Sequence, residues 1–179
     1  VDAGNGVGGR VAAPLYEKLG CEVIPLYCDV DGNFPNHHPD PTIGSSLKKL
    51  VSTVKKTGAD LGIGFDGDAD RIGAVDEKGN IIYGDRLLIL FARSVLLEKP
   101  GAAIIGEVKC SRTLFQDVAQ HGGKPVMWKT GHSLIKEAMK KFHAQVAGEM
   151  SGHMFFKHRW YGFDDAVYSG ARLLEFLAA

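Results

Sequence analysis

The sequence predicts an α/β fold made of two similar layered domains, each with a mixed, mainly parallel sheet and helices on both faces. Short apolar runs alternate with segments whose apolar residues recur at helical spacing along the 179 residues, and this alternation is typical of β-α-β units. Glycines and prolines separate these segments and indicate turns. One α/β pattern finishes near residue 80 and another begins. We therefore predict one domain over residues 1–80 and a second over residues 81–179.

The composition narrows the possible partners and compartment. The formal net charge is zero, which favours neither nucleic acid nor an anionic membrane as a partner. No apolar run approaches the roughly 18 residues of a membrane span, and no signal peptide is recognisable. Cys21, Cys28 and Cys110 are widely spaced without a C-x-x-C pair, which fits a reducing, cytoplasmic location. Because Val1 stands in the middle of a pattern, we expect a piece of a longer protein.

The first half is predicted to begin with a β-α-β unit. Residues 1–3 end a strand, a glycine-rich turn leads into an amphipathic helix whose apolar positions include Val11, Leu15 and Leu19, and residues 21–27 form the next strand. The elements predicted after it are a long loop (28–45), a helix capped by Ser45 or Ser46, a strand (59–65) and a hairpin (72–75 and 81–83).

The second half repeats this rhythm. Its predicted strands are 102–107, 125–128 and 144–147, and its predicted helices are 85–97, 111–121, 133–142 and a last helix. We expect Asp85 to cap the first of these helices and Asp164 or Asp165 the last. The core face of the last helix should contain Leu173, Leu174 and Leu177.

The segment D-G-D-A-D-R at residues 66–71 predicts a metal site. Asp66, Asp68 and Asp70 follow a buried strand and repel one another unless a cation lies between them. A few carboxylates with open coordination positions suit Mg²⁺ and leave room for a phosphate oxygen. Arg71, directly beside them, suits a phosphate or phosphoryl group. A solvated acidic turn is the simpler alternative.

Two other interpretations stay open at this point. Residues 66–77, with Glu77 last, follow the ligand spacing of an EF-hand calcium loop, although Arg71 stands where that loop needs glycine. The run Gly4, Gly6 and Gly9 satisfies G-x-G-x-x-G, and Asp29 follows at about the 20-residue offset of a ribose-binding acid, as in a dinucleotide-binding enzyme.

Three later segments place polar side chains after predicted strands. Lys109 follows the first, His132 precedes a helix after the second, and Glu149, Ser151 and His153 stand between glycines after the third. Ligands of open α/β folds gather at the carboxyl ends of the strands. The free N–H groups of a helix N-terminus near His132 favour an anion, and the mixture of carboxylate, hydroxyl and imidazole suits sugar hydroxyls.

Three motifs together resemble the α-D-phosphohexomutases: D-G-D-A-D-R at 66–71, T-G-H-S-L-I-K at 130–136 and G-E-M-S-G-H at 148–153. Residues 31–35 and 159–165 look most like the bacterial phosphomannomutase/phosphoglucomutases. The resemblance implies four domains around one active-site cleft, of which this chain resembles the second and third. It also implies a monomeric enzyme that exchanges a phosphoryl group between a phosphoserine and mannose or glucose phosphates through a 1,6-bisphosphate.

The resemblance also implies roles for single residues. Asp66, Asp68 and Asp70 would be the Mg²⁺ ligands, Arg71 would lie beside the phosphoserine, Glu149 and Ser151 would bind sugar hydroxyls, and Lys109, His132 and His153 would contact phosphate or move protons. The phosphorylated T-A-S-H-N-P type loop of the first domain and the phosphate-holding loop of the fourth do not occur in these residues. We therefore expect this chain to fold without turning over substrate.

Overall fold

The structure is a computed structural model that describes residues 1–178. It divides into two compact units. The first comprises residues Val1–Ile82 and Ala166–Ala171, and the second comprises Tyr83–Asp165 and the described residues from Arg172 onward. The architecture is mixed α/β, as predicted.

The first unit contains a three-stranded sheet in the order β1-β2-β3 with antiparallel neighbours. Its elements are α1 (Gly9–Lys18), α2 (Lys48–Thr57), β1 (Leu61–Phe65), β2 (Ile72–Asp76) and β3 (Ile81–Ile82). The predicted hairpin is therefore confirmed. Asp2 adds single parallel bridges to Leu26 and to Gly64, so the parallel part of this sheet is reduced to isolated bridges.

The predicted strand over residues 21–27 is wrong, because only Leu26 forms a bridge. Tyr27 has a φ of 53°, in the left-handed region, and this conformation ends the extended backbone directly after that bridge.

The apolar positions predicted for α1 do not form its buried face. Val11 and Leu19 are 57% and 56% exposed, whereas Ala12 and Tyr16 are buried. The Tyr16 hydroxyl donates a hydrogen bond to the carbonyl of Val167 at 2.8 Å. The buried face of α1 is therefore the face that carries Tyr16. A polar tip that finds a partner allows tyrosine to be buried, and apolar spacing alone did not indicate this.

Helix α2 packs on the sheet through the buried residues Leu47, Leu50 and Val54. The predicted serine cap is wrong, because the N-cap position is held by Leu47 without a side-chain hydrogen bond. Ser45 instead accepts the backbone N–H of Lys48 through its own carbonyl, in the turn before the helix.

The second unit contains a four-stranded sheet in the order β5-β4-β6-β7. Its elements are α3 (Gly84–Glu98), β4 (Ala103–Glu107), α4 (Arg112–Gln120), β5 (Lys124–Trp128), α5 (His132–Phe142), β6 (Val146–Gly148), β7 (Met154–Phe156) and α6 (Ala166–Ala178). Strands β5, β4 and β6 are parallel and β7 is antiparallel. This sheet is mixed and mainly parallel, as predicted.

Two details of the helices in this unit correct the prediction. Asp85 does not cap α3, since the N-cap is Tyr83 and the buried Asp85 carboxylate accepts the N–H of Ser111 at 3.0 Å. In α6 the side chain of Leu173 is buried, but Leu177 is 53% exposed and lies outside the core face. The Asp85 carboxylate therefore joins α3 to the N-cap residue of α4 instead of capping α3.

Candidate functional site

The acidic segment forms a tight turn directly after β1. Asp66 is buried, Asp70 is half-buried and Asp68 is exposed. One carboxylate oxygen from each lies within 4.8 Å of the others. Ala69 adopts a left-handed φ of 62°, and its N–H donates to the carbonyl of Asp66 at 3.3 Å. The turn therefore collects three carboxylates that the strand alone would spread apart.

Arg71 is the cation of this cluster. Its Nε donates to Asp66 Oδ2 at 2.6 Å, and its Nη1 lies 3.6 Å from Asp40 Oδ1. Burial would lower the pKa of Arg71, but hydrogen bonding to Asp66 together with the negative charges of the neighbouring aspartates outweighs burial and raises that pKa. Burial would raise the pKa of Asp40, but hydrogen bonds from Thr42 and then the charge of Arg71 lower it. The loop thus keeps both signs of charge in contact at neutral pH.

The donor set fits a hard divalent cation. Carboxylate oxygens are the ligands that Mg²⁺ and Ca²⁺ prefer. Asp66 Oδ1 already accepts the N–H groups of Asp70 and Arg71, each at 3.1 Å, which holds this carboxylate in place. The exposed Asp68 and half-buried Asp70 leave one side of the cluster open to solvent. Asp66, Asp68 and Asp70 are therefore brought together as predicted for metal ligands, and their metal binding stays a prediction.

Glu77 does not join this cluster. It follows β2, whose register pairs Asp76 with Leu61 at one end and Ile72 with Phe65 at the other. Five strand residues span about 14 Å at the usual rise per residue, and Asp66 follows Phe65 at the far end. Glu77 lies 3.6 Å from Lys78 instead. The geometry therefore excludes Glu77 as a ligand of the same ion and removes the EF-hand interpretation.

The glycine run packs against the acidic loop. A Cβ on Gly6 would lie 2.6 Å from the carbonyl oxygen of Gly67, and one on Gly8 would lie 2.9 Å from Cβ of Ala69. The N–H of Val7 donates to the same Gly67 carbonyl at 3.0 Å. The close backbone approach that these glycines permit is therefore used by the chain itself. This packing accounts for Gly6 and Gly8 without a dinucleotide.

In the second unit, Glu149 joins two of the predicted polar segments. Its carboxylate is 3% exposed, accepts the N–H of Gly131 at 2.6 Å and lies 2.8 Å from His153 Nδ1. Ser151 Oγ lies 2.9 Å from the same ring nitrogen. Burial would raise the pKa of Glu149, but the hydrogen bonds from His153 and Gly131 outweigh it and lower that pKa. Glu149 is thus an anion that holds both loops.

His132 and His153 lie close together, with ring centroids 6.2 Å apart. Lys136 Nζ donates to His132 Nδ1 at 3.1 Å and to Asp164 Oδ1 at 3.0 Å. Asp164 and Lys136 were not predicted as site residues. The sequence predicts Asp164 or Asp165 only as a helix cap. The placement of Asp164 depends on its bridge to Phe155, which local sequence does not reveal.

Lys109 lies at the end of β4 with its side chain 58% exposed and its Nζ 3.5 Å from Glu107 Oε1. Glu107 is fully buried and was also missed. The one available signal was a carboxylate at the carboxyl end of an apolar strand. The predicted residues Lys109, His132, Glu149, Ser151 and His153 therefore lie in three loops at the same edge of the sheet.

Comparison with known proteins identifies the type of these units. Phosphoglucomutase/phosphomannomutase alpha/beta/alpha domain II matches residues 1–79, and alpha/beta/alpha domain III of the same enzymes matches residues 83–179. The two units are thus consecutive α/β/α domains of a phosphosugar mutase type. The chain belongs to the phosphoglucomutase/phosphomannomutase family.

Individual relatives agree with this assignment. The chain is 62% identical to the phosphomannomutase/phosphoglucomutase of Pseudomonas aeruginosa over 99% of its own length and 38% of the relative. It is 59% identical to a phosphoglucomutase of Neisseria gonorrhoeae, covering 100% of this chain and 39% of that protein. A family member from Burkholderia thailandensis superposes with a TM-score of 0.96 at 57% identity, covering 99% of this chain and 39% of that one. The chain therefore spans about two fifths of these relatives.

Among the described residues, no helix is long and apolar enough to cross a membrane.

Proposed function

We propose that this chain forms the metal- and sugar-binding central part of an enzyme that interconverts hexose 1-phosphates and hexose 6-phosphates of mannose or glucose. The observation that carries the proposal is the cluster of Asp66, Asp68, Asp70 and Arg71 in a domain of this family. The 62% identity to an enzyme named for both activities supports the substrate class. We assign metal binding to residues 1–80 and sugar binding to residues 81–179.

In the first unit, Asp66, Asp68 and Asp70 would hold Mg²⁺. The ion supplies neutralisation of phosphoryl charge when it is bound. Arg71 would contribute a positive charge and hydrogen-bond donors to the same phosphoryl oxygens, held in place by Asp66 and Asp40. Positioning and electrostatic stabilisation account for most of phosphoryl-transfer catalysis, so a fixed guanidinium beside carboxylates suits this chemistry.

In the second unit, the buried Glu149 carboxylate fixes His153. Donation from His153 Nδ1 to Glu149 selects the neutral tautomer in which Nε2 accepts a proton. His153 would then take a proton from a sugar hydroxyl that attacks phosphorus, and would return it in the reverse direction. Ser151 and Glu149 would bind ring hydroxyls, while Lys109 and His132 would contact the phosphate of the substrate.

The remaining parts of the proposal concern the whole protein. A phosphoserine in a first domain would donate the phosphoryl group, a hexose 1,6-bisphosphate would reorient, and a fourth domain would hold the distal phosphate. A monomeric enzyme in the cytoplasm is the form that we propose. The coverage of 38% of the P. aeruginosa relative supports the presence of further domains in the working enzyme.

Metal binding is the first test. Calorimetric titration of the 179-residue chain with Mg²⁺ should give saturable binding. Asp68→Asn should abolish this binding, because it removes one of the three carboxylate ligands, and the exposed position of Asp68 means that the fold does not depend on it. Asp60→Asn, which removes the same charge from an exposed position in the same unit, is the matched control and should bind normally. Calcium affinity orders of magnitude above that for Mg²⁺, or an unaffected Asp68→Asn variant, would overturn the metal assignment.

Ligand class is the second test. Glucose 1-phosphate should shift the NMR signals of the second unit, whereas NADH should not bind near Gly6. Saturable NADH binding that displaces the glycine run from Gly67 would favour a dinucleotide enzyme instead. In an enzyme that contains all of its domains, Glu149→Ala should impair sugar discrimination more than metal binding, and an equal loss of both would contradict the role given to Glu149.

A further inference from the structure

One buried carboxylate contacts all three loops that carry the proposed sugar-phosphate ligands of the second unit. We propose that Glu107 is a positioning residue that sets the mutual placement of these loops. This inference rests on the proposed function for its consequence, the binding of a hexose phosphate. The contacts of Glu107 stand independently of that function.

Glu107 is the last residue of β4 and its side chain is fully buried. Its Oε1 accepts the N–H of Met150 at 2.8 Å, in the loop after β6. Its Oε2 accepts the hydroxyl of Thr130, in the loop after β5. Lys109 Nζ, in the loop after β4 itself, lies 3.5 Å from Oε1. Both oxygens therefore have donors from different loops.

The sheet order explains why this position reaches the loops on both sides. β4 lies between β5 and β6, and Glu107 is in register with Trp128 while Gly106 is in register with Gly148. Strands β5 and β6 both end beside the last residues of β4, so the loops that follow them begin on either side of Glu107. A carboxylate at the end of β4, the middle one of the three parallel strands, can thus accept donors from the loops after both neighbouring strands.

Because Glu107 is buried, its carboxylate depends on these hydrogen-bond donors. An unpaired charge in an apolar interior is strongly unfavourable, so Glu107 requires its donors as much as the donors require it. Nearby, burial and then the charge of Glu107 raise the pKa of Cys110 to about 12, so its thiol stays protonated. If either loop shifts, a buried acceptor loses its partner. The two loops are therefore tied to one point of the sheet.

Glu107 and Glu149 connect the same two loops, but the two acceptors lie on different elements. Glu149 belongs to the loop after β6 and accepts the N–H of Gly131 in the loop after β5. Glu107 belongs to the sheet and accepts from both loops. The separation of His132 and His153, 6.2 Å between ring centroids, is thus maintained by Glu107, which contacts neither ring. Its contribution to binding would come through the residues that it positions.

The test compares Glu107→Gln with Asp117→Asn in the 179-residue chain. Asp117 is a similarly buried carboxylate that is paired with Arg93 and contacts none of the three loops. Hydrogen exchange of the Met150 amide, measured by NMR, should become about tenfold faster than in the native chain for Glu107→Gln, because the neutral amide oxygen accepts a weaker hydrogen bond than the carboxylate. Asp117→Asn should leave the Met150 exchange rate unchanged.

A second variant keeps the test decisive if Glu107→Gln does not fold. Thr130→Val removes one donor to Glu107 from an exposed position, so the core is retained. It should shift the ring NMR signals of His132 and His153, while Ser133→Ala, an exposed change in the next turn, should not. Slower exchange at Met150 would not be compatible with the proposal, nor would equal changes in Glu107→Gln and Asp117→Asn.

Binding of glucose 1-phosphate to the same proteins separates this inference from the proposed function. Weaker binding by Glu107→Gln and Thr130→Val, with normal binding by Asp117→Asn, supports the positioning role. If the native chain bound no hexose phosphate while the loops responded as above, the sugar site would be wrong and the positioning contacts would stand. Normal loop exchange in both site variants would overturn the positioning role even if the sugar bound.

Discussion

At Gly6, the lack of a side chain decides how closely the first loop can approach the acidic turn. The hydrogen in place of a Cβ leaves room for the Gly67 carbonyl, which would otherwise be 2.6 Å from that Cβ. The same carbonyl accepts the N–H of Val7. The shape of the candidate metal site therefore depends on a residue that carries no functional group.

We predict that Gly6→Ala destabilises the first unit by about 1–3 kcal/mol, the usual range for overpacking, because the contact lies against backbone that cannot rotate away. Chemical denaturation followed by circular dichroism measures this difference. Gly32→Ala is the control, since nothing lies within 4 Å of its Cβ position, and it should change stability very little. Equal stability of the two variants would contradict the packing role of Gly6.

His158 is a buried imidazole whose neighbours favour its neutral form. Burial lowers its pKa below the ordinary value of 6.5, Glu98 partly opposes this effect, and Arg172 adds to it. Its Nε2 lies 3.3 Å from Glu98, and Arg172 Nη1 lies 3.5 Å from its Nδ1. The unfolded chain therefore binds this proton more readily than the folded chain as pH falls.

We predict that His158 makes the unfolding free energy decrease below pH 6.5. The contribution is complete above the unfolded pKa of 6.5 and is lost as pH falls through the lower folded value. Its slope cannot exceed about 1.4 kcal/mol per pH unit for one proton. Between pH 7.5 and pH 5, the unfolding free energy obtained from denaturation curves should change less with pH for His158→Gln than for the native chain. An identical pH dependence of the two proteins would mean that this ring does not sense pH.

At the scale of elements, the helices show which signals are local. Ser111 precedes α4 and its side chain accepts the N–H of Thr113 at 3.1 Å, so this boundary follows from a residue type with a well-known preference. The start of α3 follows a different rule. A Cβ on Gly84 would lie 2.3 Å from the carbonyl oxygen of Glu149, so a contact with a residue distant in sequence requires glycine at this position.

We predict that Ser111→Ala weakens the second unit by about 1 kcal/mol, because the first turn of α4 loses its side-chain acceptor. Thermal and chemical denaturation should both show the loss. Ser133→Ala is the matched control, since this exposed serine lies in the first turn of α5 and caps nothing. A larger effect of Ser133→Ala would refute the assignment of the cap to Ser111.

The elements with clear periodicity could be predicted from sequence, and those set by distant partners could not. The hairpin after the acidic loop and the order of strands and helices from α3 to β6 follow from apolar runs between turn residues. Strand β7 was not predicted, because its three residues are too few to show an alternation. The face of α1 could not be predicted, because it is set by Tyr16 and its partner in α6. The caps expected at Ser45 and Asp85 failed because tertiary contacts use the preceding turn and the Asp85 carboxylate differently.

At the scale of the whole molecule, the candidate site separates in the same way. The trio of Asp66, Asp68 and Asp70 could be predicted because its members alternate within one short segment of the sequence. Glu107 and Asp164 could not be, because their partners are more than twenty residues away and depend on sheet order. A local motif thus reveals ligands, whereas the groups that hold those ligands in place become visible only in the fold.

The 179-residue chain should not convert glucose 1-phosphate to glucose 6-phosphate. Its proposed metal ligands and sugar-binding loops prepare a phosphoryl group for transfer, but turnover also needs a serine that donates a phosphoryl group to the sugar and takes one back, and no T-A-S-H-N-P type loop occurs in the sequence. A coupled dehydrogenase assay that detects glucose 6-phosphate measures this, with a family member that contains all four domains as the positive control. Added glucose 1,6-bisphosphate should not restore turnover, because the chain offers no serine loop to accept its phosphoryl group. Turnover near that of the control would mean that another residue of this chain carries the phosphoryl group, and phosphorylation of the chain by the bisphosphate would identify it.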